Sequence, residues 1–415
     1  MRIVFVNRFY WPAEPATSQL LHDLAESLAV RGWTVSVIAG HSSPSLPQRE
    51  TRAGVEILRI GGSMTASPGL FRRALGFAVF HAALVPALWR TLRRGDILVA
   101  LTDPPLLGLT ATLVARARGA SVMHWIHDIY PEVVRAISSR LAAGVLGAIF
   151  RPWRDLAWRR AAACVTLGHD MAAVLAEAAV DAAHIHIVPN WAPHGVEPPT
   201  PEAVRSRRDE LGLGGKFVVG YSGNLGRVHD LTGVLDAAER LCADTRFAFI
   251  FSGRGAAFAT LEKAARDRGL ANVRFLPPQP RRDLAVALAI PDVHLVSVRE
   301  GCERYVFPSK LYGALAVGRP AILLGAPTSE VARTVEERGV GKAFGSRDSA
   351  ALAVYLQALA KAPDQQRSLA AAALAWHRQS GGRERAVARW EAILRAVAAA
   401  QEPDMAVDSQ AMLRR

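Results

Sequence analysis

The chain alternates between two hydrophobic rhythms. Residues 2–6, Arg-Ile-Val-Phe-Val, form an apolar run of strand length that ends in a Pro-containing loop at 9–15. Residues 18–31 then set Leu20, Leu21, Leu24 and Leu28 at the spacing of one helix face. Gly32 stops that helix, and 34–39 predicts the next strand. Strand, helix and strand joined by short connections make a βαβ unit, which implies a parallel sheet. Further strands are predicted at 54–60, 97–101, 121–126, 164–167 and 185–188, with a helix at 106–118. Together they read as a doubly wound half.

The character changes at 192–208, a polar run holding Pro193, Pro198, Pro199 and Pro201, which reads as a linker. A second α/β series follows, with strands at 217–222, 247–252, 273–275, 293–298 and 320–324. Its helices are predicted at 231–242, 256–268, 283–289, 309–317 and 329–338. The fold class is therefore α/β, with two Rossmann-like domains facing across a cleft at the carboxyl ends of their strands, where open α/β sheets bind ligands. The expected domains are 1–191 and 216–380, with 192–215 linking them. A C-terminal helix at 381–400 crosses back to the first half, and 401–415 is a loose tail.

Composition narrows the class. Of 415 residues, 50% are hydrophobic and 21% charged, which excludes a disordered chain. Three cysteines lie far apart with no CxxC, indicating neither a disulfide framework nor a zinc site and favouring a reducing compartment. The opening residues read as a strand rather than a signal peptide.

The net charge of +13 is unevenly placed. Residues 1–190 hold 19 Arg, no Lys and 13 acids. Segment 69–95 carries five of those Arg and no acid, and segment 135–160 carries six against Asp155 alone. Both segments are also apolar. The run 74–89, with Arg on both flanks and Trp89 at its end, is shorter than the roughly 20 residues of a spanning helix and suits a helix lying in the headgroup plane. The run 141–158 adds Leu146, Ile149, Phe150, Trp153 and Trp158. Taken singly, each segment reads better as a buried helix with solvated Arg ends; the two together put contact with an anionic membrane surface on an equal footing with that reading. No basic-aromatic pattern of an RNA-binding sheet and no zinc-finger spacing occurs, so nucleic acid is not an expected partner.

Candidate chemistry clusters at strand ends. Tyr221-Ser-Gly-Asn-Leu-Gly-Arg227 follows a strand and precedes a helix, so that backbone N–H groups near Gly223 and Asn224 reach a diphosphate and Arg227 offers a charged fork. Ser252-Gly-Arg-Gly255 repeats the arrangement with Arg254. Singly, such glycines usually serve the turn; their recurrence points to phosphate. In 300–320, Glu303 sits in a loop after a strand, and Pro308 opens a helix presenting Ser309 and Lys310. That is an anion site with a carboxylate beside it for sugar hydroxyls, the alternative being solvated surface charges. In the first half, His127-Asp128 ends a strand, as a polarised imidazole or as a structural cap. Asp103 ends another strand on the same edge.

These segments resemble the glycosyltransferases of family 4, of the GT-B fold, and especially the branch that includes the bacterial L-fucosamine transferases of O-antigen synthesis. The resemblance runs over about residues 1–400. It is carried by 7–15, 101–105, 125–132, 188–191, 222–229, 272–278 and, most specifically, 308–320. It implies that Arg227 lies beside the donor diphosphate, Glu303 near the donor sugar, and Ser309 and Lys310 at a phosphate-facing helix start. It places Pro278 and Gln279 near the base and His127 close to the reacting sugar, with Asp103 and Asp128 on the acceptor side. His127, Arg227, Glu303 and Lys310 are the implied catalytic set. Such enzymes are retaining and metal-independent, with a donor phosphate oxygen assisting attack on the same face; no Asp-x-Asp occurs in this chain. Three features depart from the family. Gly313 replaces the second Glu of Glu-x7-Glu, Ala16-Thr17 replaces a glycine pair, and His229 stands near a usual Lys.

The expectation is a hexosyltransferase that takes a nucleoside diphosphate sugar, UDP-linked by family habit, with no cofactor or metal. Its acceptor is a lipid-linked saccharide in surface polysaccharide synthesis, and its place the cytoplasm, peripheral on the inner face of the cell membrane. The rivals are a GT-B nucleotide-sugar epimerase, needing no acceptor, and a noncatalytic membrane-associated scaffold, supported by Gly313.

Overall fold

The structure, a computed structural model, describes residues 1–13, 15–61, 70–137, 141–380 and 382–401. The side chains of 70–73, 141–143, 146 and 380 are outside the description. Gly69, Arg140, the side chains of Arg72, Arg73 and Leu146, and the expected tail from 402 onward thus lie outside the described residues.

The chain divides into two compact units, 1–189 with 384–415, and 190–383. The first holds β1 (Arg2–Asn7), α1 (Ala16–Val30), β2 (Thr34–Gly40), β3 (Arg49–Arg52), β4 (Val55–Ile60), α2 (Leu70–Thr91) and β5 (Ile97–Ala100). It continues with α3 (Leu107–Ala117), β6 (Ser121–Trp125), α4 (Glu132–Ile137), α5 (Leu141–Arg159), β7 (Ala163–Thr166), α6 (His169–Glu177) and β8 (Ile185–Ile187). The second holds α7 (Pro201–Glu210), β9 (Phe217–Asn224), α8 (Thr232–Arg240), β10 (Phe247–Arg254), α9 (Phe258–Asp267), β11 (Val273–Leu276) and α10 (Leu284–Ala289). Then follow β12 (Val293–Ser297), α11 (Lys310–Ala316), β13 (Ala321–Leu324), α12 (Glu330–Glu337), β14 (Gly341–Phe344), α13 (Ser349–Ala360) and α14 (Pro363–Ser380). The last helix among the described residues is α15 (Arg383–Ala399).

In the first unit the strand order is β3-β4-β2-β1-β5-β6-β7-β8, parallel throughout except for β3, which pairs antiparallel with β4. Ile3, Val4, Phe5 and Val6 of β1 are wholly buried. An unbroken apolar strand, rather than an alternating one, is what a parallel sheet covered on both faces requires. In the second unit the order is β11-β10-β9-β12-β13-β14, all parallel. Its core packs Phe247, Phe249 and Phe251 of β10 with Val234, Leu235 and Leu356 of the covering helices.

Three readings of the sequence are corrected. The expected linker 192–215 contains α7, capped by Thr200 Oγ1, which accepts from Ala203 N–H (3.3 Å), with Pro201 opening the first turn. Arg208 ties this helix to Asp292 at 2.6 Å; with Val204 its one buried residue, α7 lacks the apolar stripe that betrays a helix. The edge strands β3 and β14 also escaped the pattern: Arg-Glu-Thr-Arg is polar, and Gly341-Lys342 breaks the apolar run of Gly-Lys-Ala-Phe. Finally, helix α2 spans 22 residues, and its segment Ala74–Thr91 is, by length and composition alone, sufficient to cross a membrane. Its Phe80, Leu84 and Leu88, however, are wholly buried against the unit.

From Glu384 onward α15 is part of the first unit. Trp390 is fully buried, its ring 4.8 Å from Trp125 in an edge-on contact. Arg31 clamps the same helix through Glu384 (2.8 Å) and Glu391 (2.9 Å). These exposed pairs contribute little; the tryptophan contributes most. Trp390→Ala should destabilise the first unit by about 3–5 kcal/mol, seen as a lowered first transition in thermal or urea unfolding. Trp153→Ala, at a 57% exposed position, should change stability by no more than about 0.5 kcal/mol.

Candidate active site

In the second unit, β9 pairs with β10 on one side and β12 on the other. The connection leaving β9 runs to β10, and the one leaving β12 runs to β13, so the two loops diverge at the carboxyl edge and leave a crevice between them. These are the loops 225–231 and 298–309 that the sequence singled out. Hydrogen bonds join their roots: Arg299 N–H donates to Val228 O (2.8 Å), Asp230 N–H to Ser297 Oγ (3.0 Å), and Ser297 Oγ–H to Asp230 O (2.7 Å).

Lys310 opens α11 at this crevice. Its Nζ lies 3.0 Å from His229 Nε2 and 5.4 Å from the Tyr221 ring centre. Among the described residues no carboxylate stands within ion-pair distance of it. Partial burial of the ammonium pushes its pKa down to about 8. The His229 ring is pushed down to about 3, by burial first and by the lysine charge second. A neutral imidazole beside an ammonium must accept at Nε2, so its Nδ1–H donates to Ser297 O at 2.6 Å. Gly223 makes room for this lysine. Its φ is +126°, and a Cβ there would stand 2.9 Å from Lys310 Cε.

Other expected donor residues take varied places. Arg227 is exposed and, among the described residues, forms no ion pair. Asn224 and Arg254 are exposed neighbours in the β9–β10 register. Glu303 Oε2 accepts from Gly301 N–H (2.8 Å), while its Oε1 is buried with no partner among the described residues. An orphaned carboxylate oxygen is an acceptor waiting for a donor. Gln279, whose side chain donates to Pro277 O (2.8 Å), and Pro278 follow β11, two strands from the crevice on the same edge. Ser309 caps nothing, and α11 is only seven residues long. The positive group at this edge is therefore the Lys310 side chain rather than a long helix dipole. The Gly253 and Gly255 turn is resolved toward structure: a Cβ at 253 would lie 2.0 Å from Gly223 O, and one at 255 would lie 2.4 Å from Leu225 O. Those glycines serve close pairing with β9. At Gly313 a Cβ would approach Leu288 Cδ1 to 3.2 Å, so α11 leans tightly on α10 where a glutamate is expected.

In the first unit the reversal of strand order falls between β1 and β5. Arg8 joins the two loops, its N–H donating to Asp103 O (2.8 Å) and its Nε lying 3.2 Å from the Asp103 carboxylate. His127 is buried, its ring tilted against Trp125 with the centres 4.7 Å apart, and its Nε2 has no partner among the described residues. Burial pushes it down to about 3. Of the two readings of His127-Asp128, a polarised imidazole or a structural cap, the first lacks its contact: no hydrogen bond joins the two side chains among the described residues. Instead, Asp128 N–H donates to Thr102 Oγ1 (3.3 Å), and its carboxyl is pushed up to about 7 by burial and by Asp103. Of the basic segments, Arg154 is buried and bound to Glu132, Asp155 and Tyr130 O. It is a structural pin rather than a surface charge. Arg8 and the acceptor role of His229 were not legible beforehand: both depend on loops from separate strands meeting.

Residues 17–191 match the family described as Glycosyl transferase 4-like domain, and residues 204–376 match Glycosyl transferases group 1. The Pseudomonas aeruginosa protein named "Probable glycosyltransferase WbjE" is 28% identical over 261 residues, spanning 63% of this chain and 65% of that one. The Escherichia coli K12 protein named "Putative colanic acid biosynthesis glycosyl transferase WcaI" is 26% identical over 353 residues, spanning 81% of this chain and 86% of that one. Among solved structures, Anabaena Alr3699/HepE in complex with UDP-glucose superposes with a TM-score of 0.71 at 18% identity, over 95% of this chain and 100% of that one. That likeness shows the fold, two parallel α/β units of the GT-B class. With both units matched in order, the chain belongs to glycosyltransferase family 4 and is a glycosyltransferase of the GT-B fold.

Proposed function

We propose that this protein transfers a sugar, with retention of configuration and without a metal ion, from a UDP-sugar to a polyprenyl-diphosphate-linked saccharide in surface polysaccharide synthesis. The observation that carries the reading is the lysine at the β9/β12 crevice, a partly buried cation with no carboxylate at ion-pair distance among the described residues. Departure of the nucleotide leaves negative charge on its diphosphate. Lys310 and Arg227 stabilise that charge, and because Lys310 is aimed by its contact with His229 before the reaction begins, little reorganisation of it is required. The free Glu303 oxygen fits a hydroxyl of the donor sugar. A structural relative bound to UDP-glucose supports the donor class, and the names of the two sequence relatives support the polysaccharide setting. Asp103, His127 and Asp128 are assigned to the acceptor.

The membrane side of the proposal rests on the first unit. Helix α3 packs against both α2 and α5. Of the eleven large apolar side chains exposed among the described residues, eight lie on these three helices: Leu75, Val79, Val85, Trp89, Leu113, Val145, Ile149 and Trp153. Such concentration marks a docking face rather than scattered exposure. Exposed Arg90, Arg93, Arg159 and Arg160 continue the same helices. With the opposite stripe of α2 in the core, the helix lies along a bilayer instead of crossing it, at a cytoplasmic surface of anionic lipid.

UDP at about 100 times its dissociation constant should raise stability by roughly 2.7 kcal/mol in a thermal-shift assay, and GDP by much less. Lys310→Ala and Arg227→Ala should each remove most of that shift. Either should lower turnover by about 10²–10³, with the fold retained and excess EDTA without effect on the wild type. No shift with any nucleotide would sink the donor assignment. In flotation assays, the full-length protein should bind phosphatidylglycerol vesicles at low salt and phosphatidylcholine vesicles weakly. The Trp89→Glu/Trp153→Glu double variant should lose vesicle binding yet keep its UDP-induced shift; undiminished binding would remove the docking face.

A further inference from the structure

The reading of the β9/β12 crevice as a diphosphate site leaves one feature unexplained. A lysine meant only to carry charge is ordinarily secured by a carboxylate, which keeps it protonated. Lys310 is secured by a neutral histidine. The groups surrounding it are few and can be named. Below it β9 offers the Tyr221 ring, whose hydroxyl donates to Asn224 O (2.9 Å) and which burial holds neutral. From the β9–α8 loop comes His229, and β12 contributes the Ser297 carbonyl that fixes the His229 tautomer. The nearby carboxylates are engaged elsewhere: Asp230 Oδ1 accepts from Thr232 N–H and Oγ1–H, and Glu303 accepts from Gly301 N–H. Arg227 is exposed on the loop above. Gly223, by lacking a Cβ, lets the lysine stem pass at van der Waals distance.

We propose that His229 is a positioning residue for Lys310: it accepts from the ammonium without supplying a counter-charge. At neutral pH the lysine's charge is thus already in place, and at alkaline pH the lysine takes a proton from solvent as a diphosphate arrives and returns it as the nucleotide leaves. The geometry has two consequences. The imidazole aims Nζ by one directed hydrogen bond, anchored in turn on the β12 backbone. It also leaves the lysine's positive charge unspent, so the full attraction is available to the ligand. Two phosphate groups facing the ammonium favour its charged form, which makes binding and protonation one linked equilibrium. The sign follows. The free site titrates near 8, and the occupied site titrates higher. Nucleotide affinity is then complete below that value and falls as pH rises through it, although the terminal phosphate, with its last ionisation near about 6, is fully charged throughout.

The test is calorimetric titration of the full-length protein with UDP from pH 7 to 9, in two buffers of different ionisation enthalpy. The wild type should weaken about tenfold across this range and at pH 8.5 should take up about three-quarters of a proton per UDP. Lys310→Arg, charged at every pH used, should bind with a flat profile and no proton uptake. His229→Gln keeps an acceptor without a charge and should retain the slope. His229→Asp supplies the missing carboxylate and should flatten the slope while weakening binding at pH 7. A flat wild-type profile with no uptake, or a wild-type slope retained in Lys310→Arg, overturns the coupling. A slope unchanged in His229→Asp removes His229 from it. These failures differ from failure of the underlying site reading, in which UDP would not bind the wild type or would bind Lys310→Ala equally well.

Discussion

The pairing of β9 with strands on both sides is the constraint from which the candidate site follows. A parallel pair cannot be closed by a hairpin, so each strand must be left by a crossover. Where the order reverses, two crossovers depart in opposite directions from adjacent carboxyl ends and cannot cover each other. The crevice between β9 and β12 is a product of topology before any side chain enters it. Gly223, Gly253 and Gly255 then act as clearances in that topology. Two let β10 press against β9, and one lets a lysine stem cross the strand end.

Within the crevice, positive charge is supplied economically in number and left uncompensated in place. Lys310 has a histidine for a neighbour where a carboxylate would have cancelled it. Glu303, by contrast, keeps one oxygen without a partner among the described residues. Polar groups left unsatisfied lower stability, and such groups in a native fold are expected where a ligand completes them. In the proposed reading the cation faces a diphosphate and the acceptor a sugar hydroxyl.

The first unit divides its arginines by the same logic. Arg154, buried between Glu132 and Asp155 and lying 4.0 Å over the Trp158 ring, holds α5 to the loop after β6. Arg159 and Arg160, at the end of the same helix, remain exposed. The apolar residues of α2 divide likewise, with Phe80, Leu84 and Leu88 inside and Leu75, Val79 and Trp89 outside. A helix apolar on both sides needs two apolar environments, and the unit provides one.

Much of this was determined by the sequence alone. Continuous apolar strands alternating with helical runs specify parallel α/β units, because strands buried on both faces cannot alternate. The Gly-Asn-Leu-Gly-Arg and Pro-Ser-Lys segments announce their chemistry through short-range residue order. What tertiary structure decided depends on contacts between distant segments. Helix α7 carries too little apolar surface to be read locally and is held by Arg208 on Asp292, 84 positions away. His127 and Asp128 look like a dyad in one dimension, yet the turn sends the imidazole against Trp125 and leaves Asp128 to share its surroundings with Asp103. His229 and Lys310, 81 positions apart, meet because β9 and β12 are neighbours. Residue order fixes what each segment can do, but only strand pairing decides which segments stand together, since a hydrogen bond acts over three ångströms of space and is blind to distance along the chain.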